Sequence, residues 1–218
     1  LQNFQIDPKD KIVCDIGASN GGFTDCLLRY GAKRVFAVDV AYGILEYRLR
    51  QDKRVTVFDK TNARELTEEM LGTLCDMVSI DVSFISLNLI FPAVNRILEK
   101  NGICISLIKP QFEAPKEAVG KNGIIKDSAI LPELFQSIIR VANENQLYLH
   151  NLMVSPIHGQ NGNVRMISSK SIEWRWALCY GSWKVSVELK SPNSLNNVNV
   201  GIIDISFSLM PLVNKTHL

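Results

Sequence analysis

Along residues 1–156, short apolar runs alternate with segments of helical spacing. Lys11–Ile16 is a mostly apolar run that closes on a glycine-rich turn, the pattern of a strand buried on both faces. Gly22–Tyr30 has helical spacing and stops at Gly31, a residue suited to the left-handed conformation that ends helices. The same pattern predicts strands over Val35–Val40, Val55–Phe58, Met77–Val82, Ile103–Ile108 and Leu147–Val154. Helices are expected between them at Ile44–Arg50, Leu87–Leu98 and Ile130–Asn145. Continuous apolar strands alternating with helices imply a mostly parallel sheet with helices on both faces. Right-handed crossovers make it a doubly wound, Rossmann-like α/β fold.

From about residue 166 this rhythm stops. Trp174, Trp176 and Trp183 all fall there, Ser and Asn are frequent, and only Trp183–Leu189 and Val200–Phe207 read as β-rich. The expectation is one domain over residues 1–165 and an unassigned, atypical tail over 166–218.

Composition narrows the class. A chain of 218 residues with 46% hydrophobic and 21% charged side chains matches a soluble globular protein. Runs such as Ile103–Ile108 fall far short of the ~20 apolar residues that a membrane helix needs. The first ten residues are polar and mixed, unlike a secretory leader, and the chain starts at Leu1 without a methionine. There are five cysteines, with no CxxC pair. Cys14 and Cys104 sit inside apolar runs, as small buried hydrophobes of a reducing, cytoplasmic protein. His150, His158 and His217 are dispersed, so no metal site is expected. Residues 1–165 carry 19 basic and 19 acidic side chains, a balance unlike that of a domain that grips nucleic acid alone.

Candidate chemistry begins where the first strand ends, at Asp15-Ile16-Gly17-Ala18-Ser19-Asn20-Gly21-Gly22. Glycines permit close backbone approach, and the helix that follows offers free N–H groups. Asp39 closes the second strand 22 residues after Gly17, where a carboxylate can accept both hydroxyls of a ribose. A dinucleotide fingerprint would need glycine at the middle position, which is Ser19. A side chain there crowds a pyrophosphate but not a methionine-bearing cofactor. Asp15 would repel a pyrophosphate, yet suits an ammonium group, directly or through water. The loop therefore points to S-adenosylmethionine ahead of NAD, and a tight structural turn is the remaining alternative.

Two further strand ends face the same crevice, because ligands of doubly wound sheets lie outside the carboxyl ends of the strands. Asp81 lies at the end of the fourth strand and Lys109 at the end of the fifth. Lys109 follows six apolar residues, and drying of its surroundings makes it a candidate general base, with Asp81 orienting its ammonium. A structural salt bridge is the alternative for this pair. Asn62 follows the third strand, where an adenine edge would lie, and a helix cap is the competing role. Glu113 and Lys116 read as solvated or lid residues.

Taken together, Asp-Ile-Gly-Ala-Ser-x-Gly-Gly-Phe-Thr-Asp at 15–25, Asp-Val-x-Tyr-Gly at 39–43, Leu-Arg-Gln-Asp at 49–52, Thr-Asn-Ala-Arg at 61–64, Asp-Val-Ser-Phe-Ile-Ser at 81–86, Lys-Pro-Gln-Phe-Glu at 109–113 and Val-Gly-Lys-x-Gly at 119–123 resemble the hemolysin A (TlyA) family of FtsJ-like ribose methyltransferases. The resemblance runs in order to about residue 164. It implies a class I methyltransferase fold, S-adenosylmethionine as cofactor, and 2′-O-methylation of cytidines in ribosomal RNA. It places Phe23, Val40 and Ala63 beside the cofactor with the loop residues, Asp39, Asn62 and Asp81. It also implies a Lys-Asp-Lys-Glu tetrad, of which Asp81 and Lys109 are the middle members. The first Lys, like a basic S4 RNA-binding domain that would contact ribosomal RNA or ribosomal subunits, is expected upstream of Leu1. The Glu is expected after Gly162-Asn163-Val164, on a strand returning antiparallel into the sheet, but Arg165 stands there. The alternatives are a chain that binds the cofactor but is catalytically impaired, a NAD-linked oxidoreductase, and a membrane-active hemolysin.

Overall fold

The computed structural model describes residues 1–121, 123–155, 165–171, 183–187 and 205–209. Most of its strands form where the sequence runs apolar over strand length; they are β1 (Ile12–Ile16), β2 (Arg34–Val38), β3 (Val55–Phe58), β4 (Cys75–Ile80), β5 (Leu98–Ile108), β6 (Tyr148–Val154) and the more polar β7 (Met166–Ser171). They make one sheet in the order β3-β2-β1-β4-β5-β7-β6. β1 to β5 pair in parallel, and β7 runs antiparallel to both of its neighbours. The order reverses beside β1, so the carboxyl ends of β1 and β4 flank a switch-point crevice.

Alternate side chains of these strands serve two cores. Val13, Val35, Ala37 and Met77 pack with Leu27 and Leu28 of α1 (Gly22–Arg29) and with Leu49 of α2 (Tyr47–Arg50). Cys14, Phe36, Val78 and Ile80 face the opposite side. There they meet Leu71 of α3 (Glu68–Leu71), the apolar face of α4 (Phe91–Ile97), and Phe135, Ile138 and Ala142 of α6 (Leu131–Glu144). The short α5 (Pro110–Glu113) follows β5 directly. The sheet with helices on both faces is thus the doubly wound arrangement expected from the pattern.

Several boundaries differ from the sequence reading. Ile44–Arg50 shortens to the single turn of α2. Leu87–Leu98 splits into a 3-10 turn, Leu87–Leu89, and α4, which begins with Pro92 in its first turn. Proline has no N–H to donate and is tolerated there, where no intrahelical bond is due. β5 begins five residues before Ile103 and shifts register against β4 between Cys75 and Met77.

The largest correction concerns residues 166–171. They are not the start of a separate tail but the strand β7, hydrogen-bonded on both sides. Farther on, β8 (Trp183–Val187) and β9 (Ile205–Leu209) pair antiparallel as a two-stranded sheet, which fits the β-rich reading of those stretches. Cys14, Cys75 and Cys104 are buried free thiols. Cys179, His158, His217, Trp174, Trp176 and the Gly162-Asn163-Val164 stretch lie outside the described residues.

Candidate active site

Three strand-end loops are stitched together at the carboxyl edge of the sheet. After β1, the N–H groups of Gly17 and Ala18 donate to the carbonyl of Val38 at 2.9 and 3.1 Å. Gly17 has φ +81°, and a Cβ there would stand 2.6 Å from the backbone oxygen of Asp81. Only glycine lets β1 and β4 end in such contact. Gly21, at φ +105°, leaves no room for a Cβ beside Leu49, and so seats α1 against α2. Gly22 is different, because a Cβ there would meet nothing within 4 Å. Ser19 and Asn20 are exposed, with Ser19 at φ +51°. Phe23 is half-buried, and Ala18 belongs to the core beneath the loop.

Asp39 ties this loop to the next. One carboxylate oxygen accepts the N–H of Ser19 at 2.9 Å and the other accepts the N–H of Ala41 at 2.9 Å. Each oxygen keeps lone pairs for a further donor, and the residue is half-buried at the crevice. Val40 beside it is exposed. The third loop is fixed by Asn62, whose side chain accepts the N–H of Arg64 and donates to Glu65. That is the capping role set against the adenine contact in the sequence reading, and it occupies the amide; Ala63, next in the chain, is buried.

Asp15 lies beneath the loop. It is fully buried, and its two oxygens accept the hydroxyls of Thr24 (2.7 Å) and Ser79 (2.8 Å). A direct ion pair with a cofactor ammonium is closed to it in this arrangement. Its work is to join β1, β4 and α1 beneath the loop. Burial pushes its carboxyl up to about 6, against the two hydroxyl bonds, with a further push from the Asp81 charge.

Asp81 and Lys109 do come together, with Lys109 Nζ 2.6 Å from Asp81 Oδ1. The ammonium also donates to Ser83 Oγ at 2.9 Å, and Lys109 is 6% exposed. The next residues add what sequence reasoning passed over. Phe84 is 89% exposed, stands at φ +64° and lies 4.9 Å from the ring of Phe112. A positive φ is a true outlier for a bulky side chain and collects at functional sites. The signal was available in the Asp81–Ser86 stretch as an aromatic in a polar turn after a strand.

Glu113 is not a solvated lid residue. Its carboxylate accepts Ser86 Oγ at 2.6 Å and the N–H of Leu87 at 2.9 Å, tying the loop after β5 to the loop after β4. Burial raises its pKa, and these bonds oppose the shift. Lys116 is exposed, as expected. A second buried cation, Lys170 on β7, lies within the sheet and donates to Ser106 Oγ (2.8 Å) and Ser168 Oγ (2.7 Å). Among the described residues, no three His, Cys, Asp or Glu side chains gather as a metal site, and no helix is long and apolar enough to cross a membrane.

Comparison with known proteins gives this arrangement its context. The chain is 43% identical over 168 residues to YqxC of Bacillus subtilis, described as an rRNA methyltransferase, and spans 60% of that protein's length. It is 40% identical to hemolysin A of Brachyspira hyodysenteriae, with 76% of this chain and 69% of that one aligned. It is 38% identical to the 16S/23S rRNA (cytidine-2′-O)-methyltransferase TlyA of Mycobacterium tuberculosis, with 79% of this chain and 69% of that one aligned. A solved structure described as a hemolysin from Lactococcus lactis superposes with a TM-score of 0.76 at 41% identity, covering 79% of this chain and 83% of that one. A model of the CEP76 C2 domain matches residues 139–215, about a third of the chain. The model of the FtsJ-like methyltransferase matches residues 1–171, from the N-terminus to the last residue of β7, and the chain belongs to that family.

Proposed function

We propose that this chain uses S-adenosylmethionine to methylate a ribose 2′-hydroxyl of ribosomal RNA, with cytidine as the target nucleoside. The observation that carries the reading is the Lys109–Asp81 pair, held directly against the cofactor loop through the Gly17–Asp81 contact. The target nucleoside comes from the names of the relatives, two of which are cytidine-2′-O-methyltransferases. Residues 1–171 are proposed as the methyltransferase domain of a cytoplasmic enzyme acting on ribosomal RNA or ribosomal subunits.

The loop fits this cofactor. Asp39 has lone pairs left for ribose hydroxyls, and the open space over Gly22 lets a ligand lie on the backbone at the start of α1. S-adenosylmethionine, when bound, supplies a methyl carbon already activated by its sulfonium. The chain's own task is then alignment. Lys109 Nζ would hold the 2′-oxygen in line, Asp81 and Ser83 hold Lys109, and the hydroxyl proton would pass through Lys109 to the Asp81 carboxylate as the methyl group exchanges its bond to sulfur for one to that oxygen. Phe84 offers an exposed face for the target base beside that pair.

Two variants test the reading. Lys109→Ala is expected to keep its calorimetric affinity for S-adenosylmethionine and to lose roughly 10²–10⁴-fold of methyl transfer to undermodified ribosomal subunits. Retained turnover would remove Lys109 from the mechanism. Asp39→Ala is expected to weaken cofactor binding, and unchanged affinity would count against its ribose role. A second reading, cofactor binding without transfer, is favoured by one observation: Arg165, at the head of β7, stands where the family resemblance places a Glu. Tight cofactor binding by the parent chain with no transfer to any ribosomal subunit would support it.

A further inference from the structure

A cleft of about 370 Å³ opens between α5, the segment that follows it and the first turns of α6. It takes no part in the cofactor loop or in the Lys109–Asp81 pair. It lies one short helix away from that pair, since Glu113 on its wall ends the α5 turn that Lys109 begins. Its polar lining consists of acceptors and one hydroxyl: the Asn88 amide, the carboxylates of Glu113 and Glu133, and Ser137. Among the described residues, Asn88 Oδ1 is buried and accepts no hydrogen bond. A buried acceptor left unpaired is costly, and in a cleft it points to a donor brought by a ligand. Glu113 has its two oxygens on Ser86 and Leu87 and is itself mostly buried, so the freer acceptors are Asn88 and the exposed Glu133.

The other walls are apolar, with Leu134 and Ile138 on α6 and Pro115 opposite. The volume is several times that of an ammonium group and accommodates a flat heterocycle. Lys116, between the wall residues Pro115 and Ala118, is exposed. An acceptor-bearing floor, apolar sides and one lysine beside the wall suit a ligand with hydrogen-bond donors at one end, a planar body and an anionic end. We propose that this cleft takes a nucleobase bearing an exocyclic amine from a nucleotide near the methylation target, with its phosphate toward Lys116. The amine reaches Asn88 Oδ1 and Glu133, and uracil, which lacks that donor, is discriminated against. This rests on the RNA methyltransferase reading and names a second contact with the same substrate.

The test separates the two claims. NMR titration of the full chain, saturated with S-adenosylhomocysteine to close the cofactor site, compares GMP with IMP and CMP with UMP. Each pair contrasts a base that has the exocyclic amine with one that lacks it. The amine-bearing member is expected to bind at least tenfold more tightly, with shifts on α6 and the 115–126 segment. Glu133→Leu, which removes the acceptor, and Ser137→Phe, which places a ring in the cleft from the helix surface, are expected to remove that preference. Ser137→Phe is also expected to raise the KM for RNA while leaving cofactor affinity unchanged. Equal binding of GMP and IMP, or a preference that survives Ser137→Phe, overturns the proposal. So does saturable binding of spermidine that Ser137→Phe removes while the nucleotides fail to bind, since that outcome assigns the cleft to a polyamine. If the parent chain transfers no methyl group to RNA, the function reading fails by itself, and the mononucleotide titrations still decide the cleft.

Discussion

Gly17 lies against the end of β4 so closely that a Cβ on it would stand 2.6 Å from the backbone oxygen of Asp81. The loop after β1 and the end of β4 are therefore one packed unit. Gly17→Ala must relieve that clash and also hold a side chain at φ +81°. The left-handed conformation alone disfavours an L-residue by about 1–2 kcal/mol, and the backbone contact adds to it. A loss of at least about 2 kcal/mol corresponds to a Tm lower by at least roughly 4 °C for a chain of this size. A Tm within a degree of the parent would show that the contact is slack.

Gly22→Ala provides the contrast. No protein atom lies within 4 Å of the Cβ it would add, so the fold should tolerate it or gain up to about 1 kcal/mol from a stiffer unfolded chain. Cofactor affinity is expected to fall at least tenfold, because the methyl group enters the space over the start of α1. Calorimetric titration reads this directly, and unchanged affinity with unchanged Tm would take Gly22 out of the cofactor cradle.

The two glycines show how far the sequence could be read. Strand-length apolar runs place β1, β2 and β4 because burial on both faces leaves little choice of side chain, and the strand ends, with that of β5, then locate Gly17, Asp39, Asp81 and Lys109. β7 escapes this logic. Met-Ile-Ser-Ser-Lys-Ser has a weak strand pattern, and it is held by ladders to β5 and β6 on either side rather than by its own propensity. The burial of Asp15 has no local sign in the sequence because its partners, Thr24 and Ser79, are 9 and 64 residues away. Glu113 was misjudged for the same reason: it reaches Ser86, 27 residues back. Long-range hydrogen bonds to buried carboxylates leave no local signature. Phe84 was missed because its distinguishing feature is a backbone angle.

Asp15 gives the stability a definite pH dependence. Its folded pKa is raised from 3.8 to about 6, so between these values the folded chain binds more protons than the unfolded one. The contribution of this group to stability is therefore greatest below pH 4 and declines as pH rises through 6. At one pKa unit per 1.36 kcal/mol, the decline is about 3 kcal/mol. Asp15→Asn removes the buried charge while keeping an acceptor for one hydroxyl. Relative to the parent, it should gain stability steadily from pH 4 to pH 7 in denaturant titrations. A constant difference across that range would show that Asp15 titrates normally.

Lys170 predicts the opposite slope at the other end of the pH scale. Burial lowers its pKa from 10.5 to about 8, against the smaller opposing influence of Cys104 and Glu113. Between pH 8 and 10.5 the unfolded chain binds the extra proton, so the contribution of this group to stability rises as pH rises through that window. Below pH 8 the folded state carries a charged ammonium in the sheet, held by Ser106 and Ser168 and by the face of Phe91 at 4.9 Å. The full span is about 3 kcal/mol. Lys170→Met keeps the length of the side chain and removes the titration, leaving Ser106 and Ser168 to hydrogen-bond each other across 2.8 Å. The stability of this variant relative to the parent should be greatest at pH 7 and should shrink by pH 10. Equal stability differences at both pH values would mean that the Lys170 ammonium is not destabilised by its place in the sheet.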